Sequence, residues 1–146
     1  MTRDEHSVTL TVYSASLVAA ELVARIGIDP DEHWDRGDAL PSGSSRTRSA
    51  VRYASELPRQ VAATEQVSAL LRRLFRNAPQ IKALSETAET EVTLSVGYFV
   101  NESQWQDRDG GFVVRGLGVA LDTEEISLLS AMGASFDVDF YLSTDE

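Results

Sequence analysis

Near the end of the chain, Phe136-Asp137-Val138-Asp139-Phe140 places two aspartates two residues apart. On an extended strand that spacing puts both carboxylates on one face, where they could act as a carboxylate pair. Charges on the solvent side of a half-buried strand also arise from solubility alone. A second acidic cluster, Asp29 to Asp38, carries carboxylates at alternate positions around His33 and invites comparison with a calcium loop. Such a loop starting at Asp29 wants oxygen ligands at its third and fifth positions, glycine at the sixth and glutamate at the twelfth. Asp31 meets the third requirement, but His33, Trp34 and Leu40 stand at the other three. No metal is expected there.

Acid–base or nucleophilic catalysis needs a base held near a nucleophile or a water. The two histidines are His6, at the terminus, and His33, in the acidic loop; Ser42, Ser44 and Ser45 lack the strand–turn–helix setting of a nucleophile elbow. Gly116-Leu117-Gly118 is too short for a dinucleotide fingerprint, because no third glycine follows. Together with Gly97, these glycines predict bulges or close backbone approach. With no cysteine, thiolate nucleophiles, thiolate metal sites and disulfides are excluded. The sequence therefore predicts no catalytic residues, no metal and no cofactor.

Interaction chemistry has more candidates. Arg72, Arg73 and Arg76 form a basic patch on the polar side of a predicted helix, a local reversal of an acidic chain. It is a solvated helix face or a self-association surface that meets the acidic half of another copy. Trp34, Tyr53, Trp105 and Tyr13 lie in or next to loops, where large aromatics plug a core edge or anchor an interface. The net charge is −10, divided as −1 over residues 1–73 and −9 over residues 74–146. Such asymmetry can steer a basic partner toward one face, and it argues against phosphate contacts with nucleic acid. Asp137 and Asp139 belong to the acidic half and are candidates for that contact.

These side chains need elements to hold them. Val8 to Tyr13 alternates apolar and polar, which predicts a strand. Ser14 or Ser16 is the expected cap of a helix through Val18, Leu22 and Ile26, ended by Gly27 and Pro30. Asp29 to Arg48 reads as loop, flexible over 39–48, and Ala50 to Ala54 as a short strand. Thr64 is a plausible cap for the best helix, whose apolar positions Val67, Leu70, Leu71, Leu74, Phe75, Ala78, Ile81 and Leu84 follow three-four spacing; Pro79 should kink or divide it. Val92 to Val100 alternates as a strand and Phe112 to Leu121 is its expected partner. Asp122 to Glu125 opens a helix with acids where the dipole favours them, and Ile126, Leu129 and Met132 form its buried face. A last strand points Phe136, Val138, Phe140 and Leu142 one way, with Asp137, Asp139 and Tyr141 the other.

At 146 residues the chain has the size of one domain and can bury a core without staples. The expectation is a single α+β domain over 1–146, with a mostly antiparallel sheet, helices on one face, and a ferredoxin-like order β-α-β-α-β-β-α-β. The N-terminus lacks the apolar stretch of a secretory signal and no run matches a membrane span, so the cytoplasm is the expected compartment.

Several short segments resemble one known family. The opening strand running into Tyr13-Ser14-Ala15-Ser16, the Gly27-Ile28-Asp29-Pro30 step, Gly37-Asp38, and the ending Ala134 to Tyr141 are similar to the bacterial domain of unknown function 4279. The family's usual Trp-Ser after the Gly-Asp step is replaced here by Val51-Arg52-Tyr53-Ala54-Ser55. The resemblance implies a small bacterial protein and supplies no catalytic residues. Small acidic proteins of this kind suggest an immunity role. The expected function is a non-catalytic cytoplasmic protein-binding module that neutralises a basic partner. The alternative is a small-ligand-binding regulatory domain using the sheet face or a cleft beside Trp34 and Trp105. Homo-oligomerisation is open; nucleic acid and membrane are not expected partners.

Overall fold

Val8, Leu10 and Val12 face the core and are fully buried, while Thr9 and Tyr13 on the opposite face are half-buried and Thr11 between them is covered. The computed structural model describes residues 5–101 and 119–143. Strand β1 (Glu5–Ser14) is followed by helix α1 (Ala19–Ile26), a three-residue strand β2 (Glu32–Trp34) and strand β3 (Ser49–Ala54). Helices α2 (Ala63–Leu74) and α3 (Ala78–Ser85), joined by a 3-10 turn at Phe75–Asn77, lead to β4 (Thr90–Asn101), α4 (Thr123–Ala131) and β5 (Ala134–Ser143).

The five strands form one mixed sheet in the order β2-β3-β1-β4-β5. β1 is antiparallel to both β3 and β4, and β3 is antiparallel to β2. β5 runs parallel to β4, with Val96 opposite Val138. The physical reason is the connection: a chain that leaves the end of β4 and returns through α4 re-enters the sheet in the same direction, which a tight hairpin could not do. The α+β class holds. The order along the chain differs from expectation where β2 forms inside the predicted loop, while the long helix is divided as its proline suggested. Pro79 falls in the first turn of α3, where its missing N–H costs nothing, and so it makes the division. Most of the segment expected as the partner of β4, Phe112 to Leu121, lies outside the described residues.

One core lies between the sheet and the helices. Val8, Leu10, Val12, Val51, Tyr53, Leu94 and Val96 from the strands meet Leu22, Ile26, Val67, Leu70, Leu74, Ile81, Leu84, Leu129 and Met132 from the four helices. All four helices therefore cover one sheet face. Ile126 departs from its predicted burial and is exposed, because α4 turns Leu129 and Met132 inward with Leu128 beside them.

The caps come from further away than local sequence suggests. Ser14 accepts from the Ser16 and Leu17 backbone N–H groups, shaping the turn after β1. The first amide of α1, Ala19, donates instead to the Asp35 carboxylate at 2.8 Å, from beyond β2. Thr64 accepts from Ala120 at 3.0 Å rather than capping α2. Only α4 has the N-terminal cap read from sequence: Asp122 accepts from Glu125 N–H, and the Glu125 carboxylate accepts from Asp122 N–H. Gly27 ends α1 in the left-handed region at φ 88°.

Candidate functional site

The register places alternate side chains on the helix-free face of the sheet. From β2 outward these are Glu32 and Trp34, then Ala50 and Arg52, then Thr9, Thr11 and Tyr13, then Glu91, Thr93, Ser95, Gly97 and Phe99, and finally Asp137, Asp139 and Tyr141. The face has two chemically different ends.

At the β2–β3 end the loop over 35–48 folds back on the sheet. Its own closure is a bridge between Ala39 and Ser45, with Arg46 N–H donating to Asp38 O and Gly37 N–H to Arg46 O, both at 2.8 Å. This brings the Arg46 guanidinium to 4.1 Å above the Trp34 ring, while Arg52 lies 4.9 Å from the same ring. Arg48 sits 4.3 Å above Tyr13 and pairs with Glu91 at 2.7 Å. Arg52 also donates to Thr11 at 3.3 Å and lies 3.6 Å from Glu32. Trp34, only 9% exposed, is thus a buried plate that two cations contact.

At the β4–β5 end Phe99 and Tyr141 stack with ring centres 4.8 Å apart and remain 37% and 49% exposed. Gly97 lies beneath them; a Cβ there would stand 3.4 Å from the Phe99 ring and 3.5 Å from that of Tyr141, in ordinary van der Waals contact. The strand register continues through Gly97 opposite Ser7 and Asp139, so this glycine marks no bulge. Asp137 and Asp139 are exposed on the same face and form no ion pair among the described residues. The Arg59 guanidinium lies 4.7 Å above Phe99, held also by Glu5 at 3.4 Å.

The remaining residues singled out in the sequence separate. Tyr53 is fully buried and donates to Ile28 O at 2.7 Å. Burial pushes its phenol up to about 12, against the lowering field of the Arg73 guanidinium. Trp105, Gly116 and Gly118 lie outside the described residues. The arginine patch is not one surface, because adjacent helical positions diverge by about 100°. Arg73 turns inward, donating to the Asp31 carboxylate at 2.7 Å and to Ala54 O at 2.8 Å. Arg72 and Arg76 stay exposed.

Those contacts also account for the acidic loop. Desolvation disfavours the Asp31 carboxylate, but hydrogen bonds from Arg73 and from Ala54 N–H, with the Arg73 charge, hold its pKa below the ordinary value. Asp35 caps α1, Asp38 accepts from Asp35 N–H at 2.8 Å, and Glu32 faces Arg52. Among the described residues no three His, Cys, Asp or Glu side chains converge as a metal would require. On the helix side, His6 Nδ1 and the Tyr98 hydroxyl are buried without a hydrogen-bond partner among the described residues, and burial raises the Tyr98 pKa.

Two features escaped the sequence reading. The Phe99–Tyr141 stack needs the parallel β4–β5 register, which no local pattern specifies. A groove of about 810 Å³ between α2 and α4 has Phe75 at its edge, a residue expected in the core and found 49% exposed. The only local signal for the groove was the unusual width of the apolar stripe on α2, where Leu71 and Phe75 extend the Val67–Leu70–Leu74 row.

A family model described as a domain of unknown function, DUF4279, matches residues 4–143. This chain belongs to the DUF4279 family. No curated protein and no solved structure matches it. Of the short segments that resemble the family in sequence, three lie at turns of this fold, the Ser14 turn, the left-handed Gly27 and Gly37 at φ 95°, and the fourth is strand β5. In this DUF4279 domain they shape the sheet and its loops, and the acids and aromatics at the β4–β5 end are carried on that frame. No helix among the described residues is long and apolar enough to cross a membrane.

Proposed function

We propose that this DUF4279 domain is a non-catalytic, cytoplasmic protein-binding module of the immunity type, which receives a basic partner on the β4–β5 end of its helix-free sheet face. The observation that carries the reading is the exposed Phe99–Tyr141 stack beside the exposed carboxylates of Asp137 and Asp139. An aromatic face attracts a guanidinium or ammonium group, and a neighbouring carboxylate fixes its direction. Arg59, 4.7 Å above Phe99, is an intramolecular example of a cation on this surface. The excess negative charge of residues 74–146 would add long-range attraction and raise the association rate. A ferredoxin-like arrangement, with one sheet face left open for contact, is part of the same proposal. The small-ligand alternative draws on no exposed indole at Trp34, which lies beneath Arg46 and Arg52.

The test is affinity capture from a bacterial lysate at low and at high salt, using the native chain and the double variant Asp137→Lys/Asp139→Lys. The expected result is a basic protein retained at low salt, released at high salt, and not captured by the double variant. Equal capture by the variant, or an empty column with folded bait, would falsify the reading.

A further inference from the structure

Ser68, Leu71, Arg72 and Phe75 stand at three-four spacing on α2 and the 3-10 turn after it, and so form one stripe. Glu124, Leu128 and Ala131 form the facing stripe on α4. Between them lies the groove of about 810 Å³, with an apolar floor of Leu71, Leu128 and Ala131 and the Phe75 ring at its edge. One end is tied by the Ser68 hydroxyl, which donates to Glu125 at 2.7 Å.

The two walls differ in sign. On the α2 side Arg73 is drawn inward to Asp31, which leaves Arg72 lining the groove and Arg76 5.7 Å over the Phe75 ring. On the α4 side Asp122 and Glu125 are occupied in the capping box, and Glu124 is exposed at the rim. A phenyl ring half in water beside an apolar groove gains by entering another apolar surface.

We infer that this groove is a self-association surface, filled by Phe75 of a second copy across a twofold axis. A twofold contact uses the same patch on both partners, so the patch must be its own complement. Here it is: rotation sets the Arg72–Arg76 wall of each copy against the Glu124 wall of the other, and each Phe75 faces the other groove. A uniformly basic partner would meet Arg72 and Arg76, and a uniformly acidic one would meet Glu124 and the acids of the α4 cap. A second copy satisfies both walls at once. The groove is on the helix side of the sheet, so the inference does not rest on the basic partner proposed above, and a dimer would keep both helix-free faces available.

Sedimentation equilibrium of the full chain across a wide concentration range, at low and high salt, tests this directly. A reversible monomer–dimer equilibrium is expected, weakened by salt. Phe75→Ser should raise the dimer Kd about 30-fold or more, as for a central aromatic anchor, without lowering the thermal midpoint of the monomer. Arg72→Glu and Glu124→Arg should each weaken association by about tenfold. Their combination should recover most of that loss, because a twofold contact pairs each reversed wall with the other. A chain that stays monomeric throughout overturns the inference, as does a dimer indifferent to Phe75→Ser. A double reversal as weak as the single variants does the same, and so does a groove that takes up a small apolar dye while the chain remains monomeric.

Discussion

The two ends of the helix-free face are built from the same materials, aromatics and charge, yet their ledgers of partners differ. At the β2–β3 end three arginines are engaged within the chain: Arg46 and Arg52 on Trp34, Arg48 on Tyr13 and Glu91, and Arg52 also beside Glu32. At the β4–β5 end the stacked Phe99 and Tyr141 stay half-exposed, and Asp137 and Asp139 have no pairing cation among the described residues. Charge satisfied inside the chain holds a loop against a sheet. Charge left over at one edge, next to exposed rings, is available to something else. Arginine and tryptophan in a sequence do not distinguish the two situations; the register does.

The contrast makes Trp34→Ala the most damaging change. Removing a buried indole that supports two cations should cost about 3 kcal/mol in urea unfolding, with capture of a basic partner by the folded fraction unchanged. A cost below about 1 kcal/mol would mean that the arginine end is not structural. A smaller effect is expected where the arginine end meets the helices. Arg73→Ala leaves the Ala54 carbonyl and the Asp31 carboxylate short of a donor, and should cost about 1 kcal/mol after allowance for the solvent around Asp31. The pH dependence follows with a definite sign. Asp31 has a lowered folded-state pKa, so its contribution is fully present above the ordinary carboxylate value of 3.8 and is lost as pH falls through the lower folded value. In Asp31→Asn the acid limb of a stability–pH profile should be shallower by that contribution; an unchanged limb would show that the Arg73 pair does not couple to folding. The smallest effect belongs to Arg48→Ala. Its pair with Glu91 is exposed, so thermal melts should show a loss under about 1 kcal/mol.

Local patterns revealed the elements better than their arrangement. Alternation marked β1, β4 and β5, and Pro79 marked the division of the long helix, because these signals act within a few residues. The Asp122–Glu125 box was legible for the same reason. Sheet order was not, since the parallel β4–β5 pair depends on where a long connection returns. Trp34 looked like a loop aromatic because its strand is three residues long and is held by Ala50 and Val51 of β3. Arg72, Arg73 and Arg76 looked like one patch because sequence shows their proximity and hides Asp31, which recruits the middle one from 42 residues away. Asp137 and Asp139 were found on one face, as alternation required, but their aromatic neighbours came from a register that alternation does not contain.

Asp35 has a consequence for how the domain opens. Helix α1 has eight residues, too few to persist alone in water, and its first amide rests on a carboxylate that lies beyond β2. Fraying of the β2 edge therefore withdraws the helix's acceptor, and melting of the helix releases the strand's end. The two segments form a single cooperative unit, and their amides should exchange with solvent at one common rate.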